Sequence, residues 1–562
     1  MNAQSLRRLL PFLNWPRPNA ALLRGEVLAG LTVGLMVIPQ GVAYAALAGM
    51  PLITGIYASL LPALVAVLWS SSTRLSVGPT ALTCLLISSS LTGLAAPGSA
   101  QWVALAVWLA LLSGALQLVL GLGRFGWLLN LVSSPVLIGF TQAAAVLILL
   151  SQLPSLIGLT GASASWLSLL DHPQINASAA AFGLGSLVTL VLGKRWLPNF
   201  PVVMVVVAVS AVLSASLGFD QQGGAVIGAL PAGLPALYWP DALPWSTLKA
   251  LVLPALVITL VSFLETASSA KVENQRGGTR WNENQDLIGQ GLAKIASGLS
   301  GAFPTSSSFS RSAINLYAGA RTGWATVMSV VLIFVVLLWL MPVLHHVPQS
   351  VLAAVVVAAV ASLVNPSALV RLWRVSHVEA ITGVTTFALT LATAPRLYWG
   401  VLAGLLMSLS HFLHHRLHPR IIEVGVHPDG SLRDRHLWHL PPIATDLYAL
   451  RMDAELDFAS SSGFALAIAL HLSEHPHTRH VCLFAQPINR IDVTGVDAFT
   501  QMHSELAARG ITLHISGIKL PVETTLRRAG ALVDGPLLHL YRTDADALAA
   551  LQAAQVQQPQ HA

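Results

Sequence analysis

FPTSSSFSRSAINLYAGA, Phe303 to Ala320, decides how the rest of the chain reads. It opens as a polar, breaker-rich segment and continues as a short, small-residue helix bearing one arginine, Arg311. Apolar tracts lie on both sides. A water-soluble fold has little use for such a segment between two membrane-length tracts. A bilayer protein has one: a helix that begins at mid-depth leaves backbone N–H groups unpaired where an anion can be held. An earlier stretch, RLSVGPTALTCLLISS, Arg74 to Ser89, reads the same way. Leu75-Ser76 matches Leu299-Ser300 and Pro79-Thr80 matches Pro304-Thr305, at offsets of 224 and 225. The offset of 225 also carries Gln40, just after Pro39 in an apolar run, onto Glu265. Two halves repeat, each with one full helix bearing a polar residue and one broken helix.

Composition agrees. Of 562 residues, 54 % are hydrophobic and only 10 % charged, with a mean hydropathy of +0.68. Tracts this apolar would leave large exposed patches in water. Residues 1–420 hold 20 Lys and Arg against 9 Asp and Glu, net +11; residues 421–562 hold 10 against 15, net −5. The bases of the first part sit in short loops between apolar runs, so they read as orientation signals and not as a nucleic-acid surface. Cys84 and Cys482 give neither a disulfide pattern nor a metal spacing.

Fourteen apolar tracts run at about 25–48, 53–70, 79–93, 102–121, 131–157, 176–193, 200–218, 249–270, 286–299, 306–319, 322–341, 349–364, 378–393 and 398–413. The third and tenth are short, as expected if only their second halves are helical. A cytoplasmic N-terminus (Arg7, Arg8, Arg17, Arg24) puts Arg74, Arg124, Lys194, Arg195, Lys271, Arg276, Arg280, Arg321, Arg371 and Arg374 in inner loops. Asp171, Asp220 and Asp241 fall outside, with Lys249, Lys294 and Arg396 as outer exceptions. An even number of crossings with both termini inside follows. Domain bounds are a cytoplasmic segment 1–24, a transporter domain 25–420, an α/β domain 433–550 and a disordered tail 551–562. Within the α/β domain, LYALRMD, RHVCLFA and ITLHISG alternate with helix-like SSGFALAIALHLSE, GVDAFTQMHSELAARG and PVETTLRRAG.

Arg311 must face a cavity or a partner, because a guanidinium in hydrocarbon is costly. It reads as an anion-binding group or as a structural charge near the cytoplasmic end. Ser306, Ser307 and Ser308 are either hydroxyl donors or packing residues between close helices. Glu265 is either a proton or cation coupling site or a lock paired with Arg311. Gln40 and Tyr44 are four apart on one helical face, so either both look into the same cavity or Tyr44 is plain packing. Glu26 and Glu273 read as interfacial. The histidine clusters HHRLH and HPHTRH lack zinc spacing, and no phosphate-binding loop of the GxxxxGK[ST] type occurs. Transport is therefore secondary, with no cofactor and no enzymatic constellation.

These residues resemble the sulfate permease family of anion transporters. The resemblance rests on Leu28 to Ala81, on SFLETASSAKV, on GAFPTSSSFSRSAINLYAGARTG and on the terminal domain, in that order. It implies a polytopic all-α membrane protein with about 14 segments in two inverted seven-segment repeats. A core domain (25–121 and 249–341) would work against a gate domain (131–218 and 349–413), as a homodimer in the bacterial inner membrane. It also implies an anion between the two half-helix N-termini: Thr80 and Ala81 on one side, Ser308, Phe309, Ser310 and Arg311 on the other, with Gln40 and Tyr44 from the first helix. Two departures stand out. The family's tenth segment often reads FPxxGGxSR, whereas serines fill those positions here. Sodium-coupled bicarbonate relatives carry an aspartate one turn after the glutamate, where this chain has Ser269; that favours proton over sodium coupling through Glu265.

The terminal region resembles a STAS domain, the fold shared with anti-sigma-factor antagonists. Asp492-Val493-Thr494-Gly495 matches its DxSG loop, so the resemblance offers two readings: Thr494 as a regulatory phosphosite, or the domain as an assembly and trafficking module, its more frequent use in transporters. The resulting expectation is a proton-coupled, elevator-type anion transporter with sulfate as default substrate and bicarbonate or a dicarboxylate as alternatives. A neutral-solute permease of nucleobase type is disfavoured by Arg311. A membrane-anchored regulator acting through the STAS domain is the third reading.

Overall fold

Asn19 accepts a hydrogen bond from the Leu22 amide at 2.8 Å and so starts the first helix, Ala20–Leu47 (α1). The computed structural model describes residues 10–159, 175–196, 201–231, 233–277, 281–533 and 535–556. Arg7, Arg8, Asp171 and Arg280 lie outside the described residues. The chain forms two units, Met1–Ser408 and Leu409–Ala562.

In the first unit α1 is followed by Thr54–Trp69 (α2), Ala81–Leu91 (α3), Ala100–Leu122 (α4), Ser134–Leu156 (α5), Ala177–Trp196 (α6) and Val202–Leu217 (α7). Then come Trp245–Gly277 (α8), Glu283–Leu299 (α9), Phe309–Tyr317 (α10), Trp324–Val335 (α11), Gln349–Val360 (α12), Pro366–Val375 (α13), His377–Ala392 (α14) and Tyr398–Leu417 (α15), the last crossing the unit boundary. Among the described residues five helices are long and apolar enough by themselves to cross a membrane. At 11 and 9 residues, α3 and α10 fall far short of the roughly 20 a crossing needs. Each is preceded by extended chain, and those two pieces pair with each other. Val77–Gly78 (β1) runs antiparallel to Ser306–Ser307 (β2), with Val77 opposite Ser307 and Gly78 opposite Ser306. The broken helices therefore start back to back inside the unit.

Close helix approach depends on glycine where backbones touch. A Cβ on Gly55 of α2 would lie 1.9 Å from the Gly41 carbonyl oxygen of α1. Loops are fastened by buried acids. The Glu26 carboxylate accepts from the amides of Arg321 and Thr322 at 3.0 and 2.9 Å. Glu273 pairs with Arg74 at 3.1 Å, and Asp286 takes donors from Ser71, Ser72 and Trp281. Glu26 and Glu273 are thus buried loop anchors. Pro11, Trp15, Ser71, Arg124, Asn282 and Arg321 line one open cavity of about 800 Å³, which brings the N-terminal segment and several predicted inner loops to one end.

Two further expectations change. Lys294 is not an outer-loop residue but lies in α9, fully buried. α13 matches no predicted tract; Pro366 opens it, and it buries only Leu372 completely.

Among the described residues the second unit holds six strands: Ile421–Val426 (β3), Leu432–Asp434 (β4), Leu447–Met452 (β5), His480–Phe484 (β6), Thr512–Ser516 (β7) and Leu538–Tyr541 (β8). Their order is β4-β3-β5-β6-β7-β8. β3 runs antiparallel to both β4 and β5, and β5 through β8 are parallel. Ser461–Glu474 (α16), Val493–Ala508 (α17), Leu520–Arg528 (α18) and Asp544–Val556 (α19) complete it. Phe464, Phe499, Leu450 and Leu513 centre one hydrophobic layer, and Cys482, Phe484 and Leu551 a second on the other face. The sheet begins at Ile421, upstream of the predicted bound at 433. The expected tail also starts too early: α19 runs through residue 551 and buries Leu551, and 557–562 lie outside the described residues.

Candidate functional site

The β1–β2 crossing organises a polar cluster at the starts of α3 and α10. Thr80 caps α3, its hydroxyl accepting from the Thr83 amide at 3.4 Å. Ser308 caps α10 in the same way through the Arg311 amide at 3.5 Å. Helix geometry leaves the first amides of each, at Ala81 and Leu82 and at Phe309 and Ser310, without an i−4 carbonyl inside their own helix. Both partial positive poles therefore meet at one place. The caps are 228 residues apart. The dipeptide match at 225 therefore equates the wrong residues: Ser307-Ser308, not Pro304-Thr305, stand where Pro79-Thr80 stand.

Arg311 is 2 % exposed. Its Nε donates to the Ser76 hydroxyl at 3.2 Å and its Nη1 to Gln40 Oε1 at a long 3.4 Å. Its Nη2 has no hydrogen-bond partner among the described residues. A Cβ on Gly78 would come within 3.4 Å of that nitrogen, so glycine there lets the guanidinium sit against the β1 backbone. Glu265, on α8, accepts from the hydroxyls of Thr80 and Thr83 at 3.1 and 3.4 Å. No ion pair joins it to Arg311 among the described residues, so the lock expectation is not met. Ser269, one turn on, turns its hydroxyl back to the Glu265 carbonyl at 2.9 Å.

The predicted site residues divide. Side-chain hydrogen bonds pair Gln40 with Arg311 and Thr80 with Glu265. Ala81 and Tyr44 are buried beside them, and Tyr44 belongs to the hydrophobic core. Phe309 and Ser310 are exposed, Phe309 by 54 %; Ser308 is half-buried. Ser306 and Ser307 are buried and hold β2 in place. The Ser307 hydroxyl meets Thr266 Oγ1 and Gln290 Nε2 at 3.2 and 3.1 Å, and Ser306 donates to the Ser262 carbonyl at 3.3 Å.

Behind this cluster stands a residue that sequence reasoning misplaced. Lys294 Nζ donates to Gln117 Oε1 and to the Ser262 hydroxyl, each at 2.8 Å, and Ser262 lies one turn before Glu265. A signal was present: Asp286, Gln290 and Lys294 are spaced i, i+4, i+8, a polar stripe on one face of a membrane-depth helix. In the second unit, Asp492 caps α17 by accepting from the Gly495 amide at 2.8 Å. Thr494 stands exposed at the start of that helix, beside a cavity of about 320 Å³ between α16 and α17.

Two short helices thus start at one place, beside a buried arginine and with a carboxylate on the cap of one, an arrangement suited to holding an anion. The sulfate permease family profile matches residues 23–386 and the STAS domain profile residues 441–547. The chain belongs to the sulfate permease family and ends in a STAS domain. It is 33 % identical over 531 residues to "Probable sulfate transporter 4.2" of Arabidopsis thaliana, covering 90 % of this chain and 77 % of the relative. It is 29 % identical over 570 residues to the "Sodium-independent sulfate anion transporter" of Bos taurus, covering 94 % and 89 %. Among solved structures, the murine solute carrier 26 family member A9 anion transporter in its inward-facing state superposes with a TM-score of 0.87 at 22 % identity, over 98 % of this chain and 95 % of that one. At that identity the likeness establishes the fold.

Proposed function

We propose that this chain is a proton-coupled sulfate transporter, in which α1–α4 and α8–α11 form a core that slides against a gate of α5–α7, α12, α14 and α15. On this reading the fourteen membrane segments make two inverted repeats of seven, with α13 as an added surface helix. Both termini lie on the cytoplasmic side of a bacterial inner membrane, and the transporter is a homodimer. The observation that carries the reading is the Arg311 guanidinium: buried, in no ion pair with a carboxylate among the described residues, its Nη2 without a hydrogen-bond partner there, and set beside two helix N-termini. A dianion meets positive potential from three sources there. The printed names of the relatives supply sulfate as the substrate class.

Glu265 is the coupling group. It touches the α3 cap directly, so protonation alters the hydrogen bonding of the residue that starts one of the two anion-facing helices. Ser269, where a sodium site would want a second carboxylate, supports protons over sodium, and so does the name of the bovine relative. Thr494 is an accessible phosphoacceptor whose phosphate would sit at the α17 N-terminus, a favourable place for negative charge.

Uptake of labelled sulfate, bicarbonate and fumarate into proteoliposomes, with proton and sodium gradients imposed separately, tests this. Sulfate accumulation driven by an inward proton gradient is expected. Accumulation that follows only sodium, or only bicarbonate, refutes the coupling or the substrate.

A further inference from the structure

Two loops of the first unit meet away from the anion site. One follows α7, where Gly218 in the left-handed region (φ 58°) turns the chain and Asp220 comes next, exposed. The other follows the 3-10 turn Met341–Leu344 and carries His345 and His346, both half-buried. Backbone hydrogen bonds fasten the loops to each other. The Ile227 amide donates to the Val347 carbonyl at 2.9 Å, Gly228 to His345 at 3.1 Å, and Gln349 to Ala225 at 2.9 Å. One possible ligand atom from each of Asp220, His345 and His346 then falls within 4.8 Å of the other two. The imidazoles stand edge to face, 4.7 Å between ring centres. His346 Nδ1 is buried with no hydrogen-bond partner among the described residues. A buried imidazole nitrogen left open beside a second imidazole and a carboxylate is what a metal ligand looks like before the ion arrives.

We propose that Asp220, His345 and His346 bind a divalent transition-metal ion, Zn²⁺ being the best matched, and that the ion clasps two linkers between core and gate. Two imidazole nitrogens and one carboxylate oxygen suit zinc, with water in the fourth position. The nitrogen donors disfavour calcium and magnesium, which take oxygen ligands. A tetrahedral ion with bonds of about 2.0–2.2 Å needs its ligand atoms about 3.4 Å apart, a closure that side-chain rotation supplies.

The functional consequence rests on the core-and-gate reading above. On it, the chain after α7 leads from gate to core, and the chain before α12 leads from core to gate. An ion held by both linkers resists displacement of one domain against the other. Zinc therefore acts as a brake on transport, bound at a distance from the anion.

The experiment compares the purified full-length parent with H345A/H346A and with D220N. Zinc content is measured after equilibration with Zn²⁺ and desalting, so that other histidine clusters cancel in the difference. The parent is expected to hold one more zinc per chain than H345A/H346A, and to bind it at least tenfold more tightly than D220N does. In proteoliposomes Zn²⁺ should slow the parent's sulfate uptake severalfold and a chelator should restore it, while the variants transport at the parent's zinc-free rate and ignore the ion. Equal zinc content in parent and H345A/H346A overturns the site. A zinc-loaded parent that transports at its zinc-free rate overturns the brake. Because zinc content is read without transport, a parent that moves no sulfate at all counts against the proposed function and leaves the site standing. D220N changes one exposed side chain and keeps the test valid if the double variant misfolds.

Discussion

Gln40 and Glu265 contribute differently to the candidate site, and each reaches the other half's broken helix. Gln40 on α1 reaches Arg311 on α10, while its counterpart 225 residues on, Glu265 on α8, reaches Thr80 at the start of α3. An amide thus faces the guanidinium, and the carboxylate faces a neutral hydroxyl. The reverse assignment would set a carboxylate against Arg311 and neutralise it. The difference teaches that duplicated positions need not carry the same charge: Arg311 and Glu265 both lie in the second half, and the first half supplies the neutral amide and hydroxyl that they meet.

The largest effect expected from breaking this asymmetry is at Glu265. Glu265→Gln keeps the hydrogen bond from Thr80 but fixes the neutral form. Proton-driven accumulation of sulfate should disappear while sulfate counterflow continues, both read in the same proteoliposome preparation. Counterflow and accumulation lost together would make Glu265 a structural group instead. Next is Arg311→Ala, which removes the fixed positive charge. Sulfate affinity should fall by about 1.5–3 kcal/mol, the worth of a hydrogen bond to a charged group, with residual binding to the helix amides. Isothermal titration of the two proteins reads the difference directly.

Lys294 sharpens the comparison from behind. Lys294→Met leaves Gln117 Oε1 without its donor, at a cost of about 1–3 kcal/mol, while the Ser262 hydroxyl keeps Gln117 Nε2. A lower unfolding temperature should result, together with a shifted pH profile of uptake, since the charge one turn from Glu265 is gone. A changed melting temperature with an unchanged profile would confine Lys294 to a structural role.

The smallest effect lies in the STAS domain, as a control outside the membrane. His514 on β7 is pushed down to about 4 by burial and by the neighbouring His480 and His539. Its ring nitrogens lie 3.2 Å from His480 Nδ1 and 3.2 Å from the Tyr541 hydroxyl. An unfolded histidine titrates near 6.5. Between pH about 6.5 and about 4 the unfolded chain therefore binds a proton that the folded domain refuses, and stability falls as pH falls through that window. Pulse proteolysis of the domain in urea should show this slope, and His514→Gln should flatten it.

Much of this was legible in the sequence. The broken helices announce themselves as short tracts behind polar, proline-bearing segments, and the pairing of Gln40 with Glu265 needs only a constant offset. What was not legible has physical causes. The three-residue slip from 225 to 228 is invisible because Pro-Thr occurs twice and only cap geometry tells which threonine is which. Lys294 was misplaced because a lysine in a short tract looks like a loop residue until Asp286 and Gln290 are seen to share its face. The β3–β4 hairpin was missed because β4 is only three residues long and carries Arg433 and Asp434, so it lacks the apolar run that marked the inner strands. The site at Asp220 escaped because its ligands are 125 residues apart and only the folded loops join them.

The central claim is that Arg311 keeps its charge for the anion because its protein partner is an amide. Gln40→Glu tests it most directly. The substitution is nearly isosteric and places a carboxylate where Oε1 now stands, 3.4 Å from Nη1. Sulfate binding to the folded variant, measured by isothermal titration at neutral pH, should weaken at least as much as in Arg311→Ala. Sulfate affinity equal to the parent's would contradict the account.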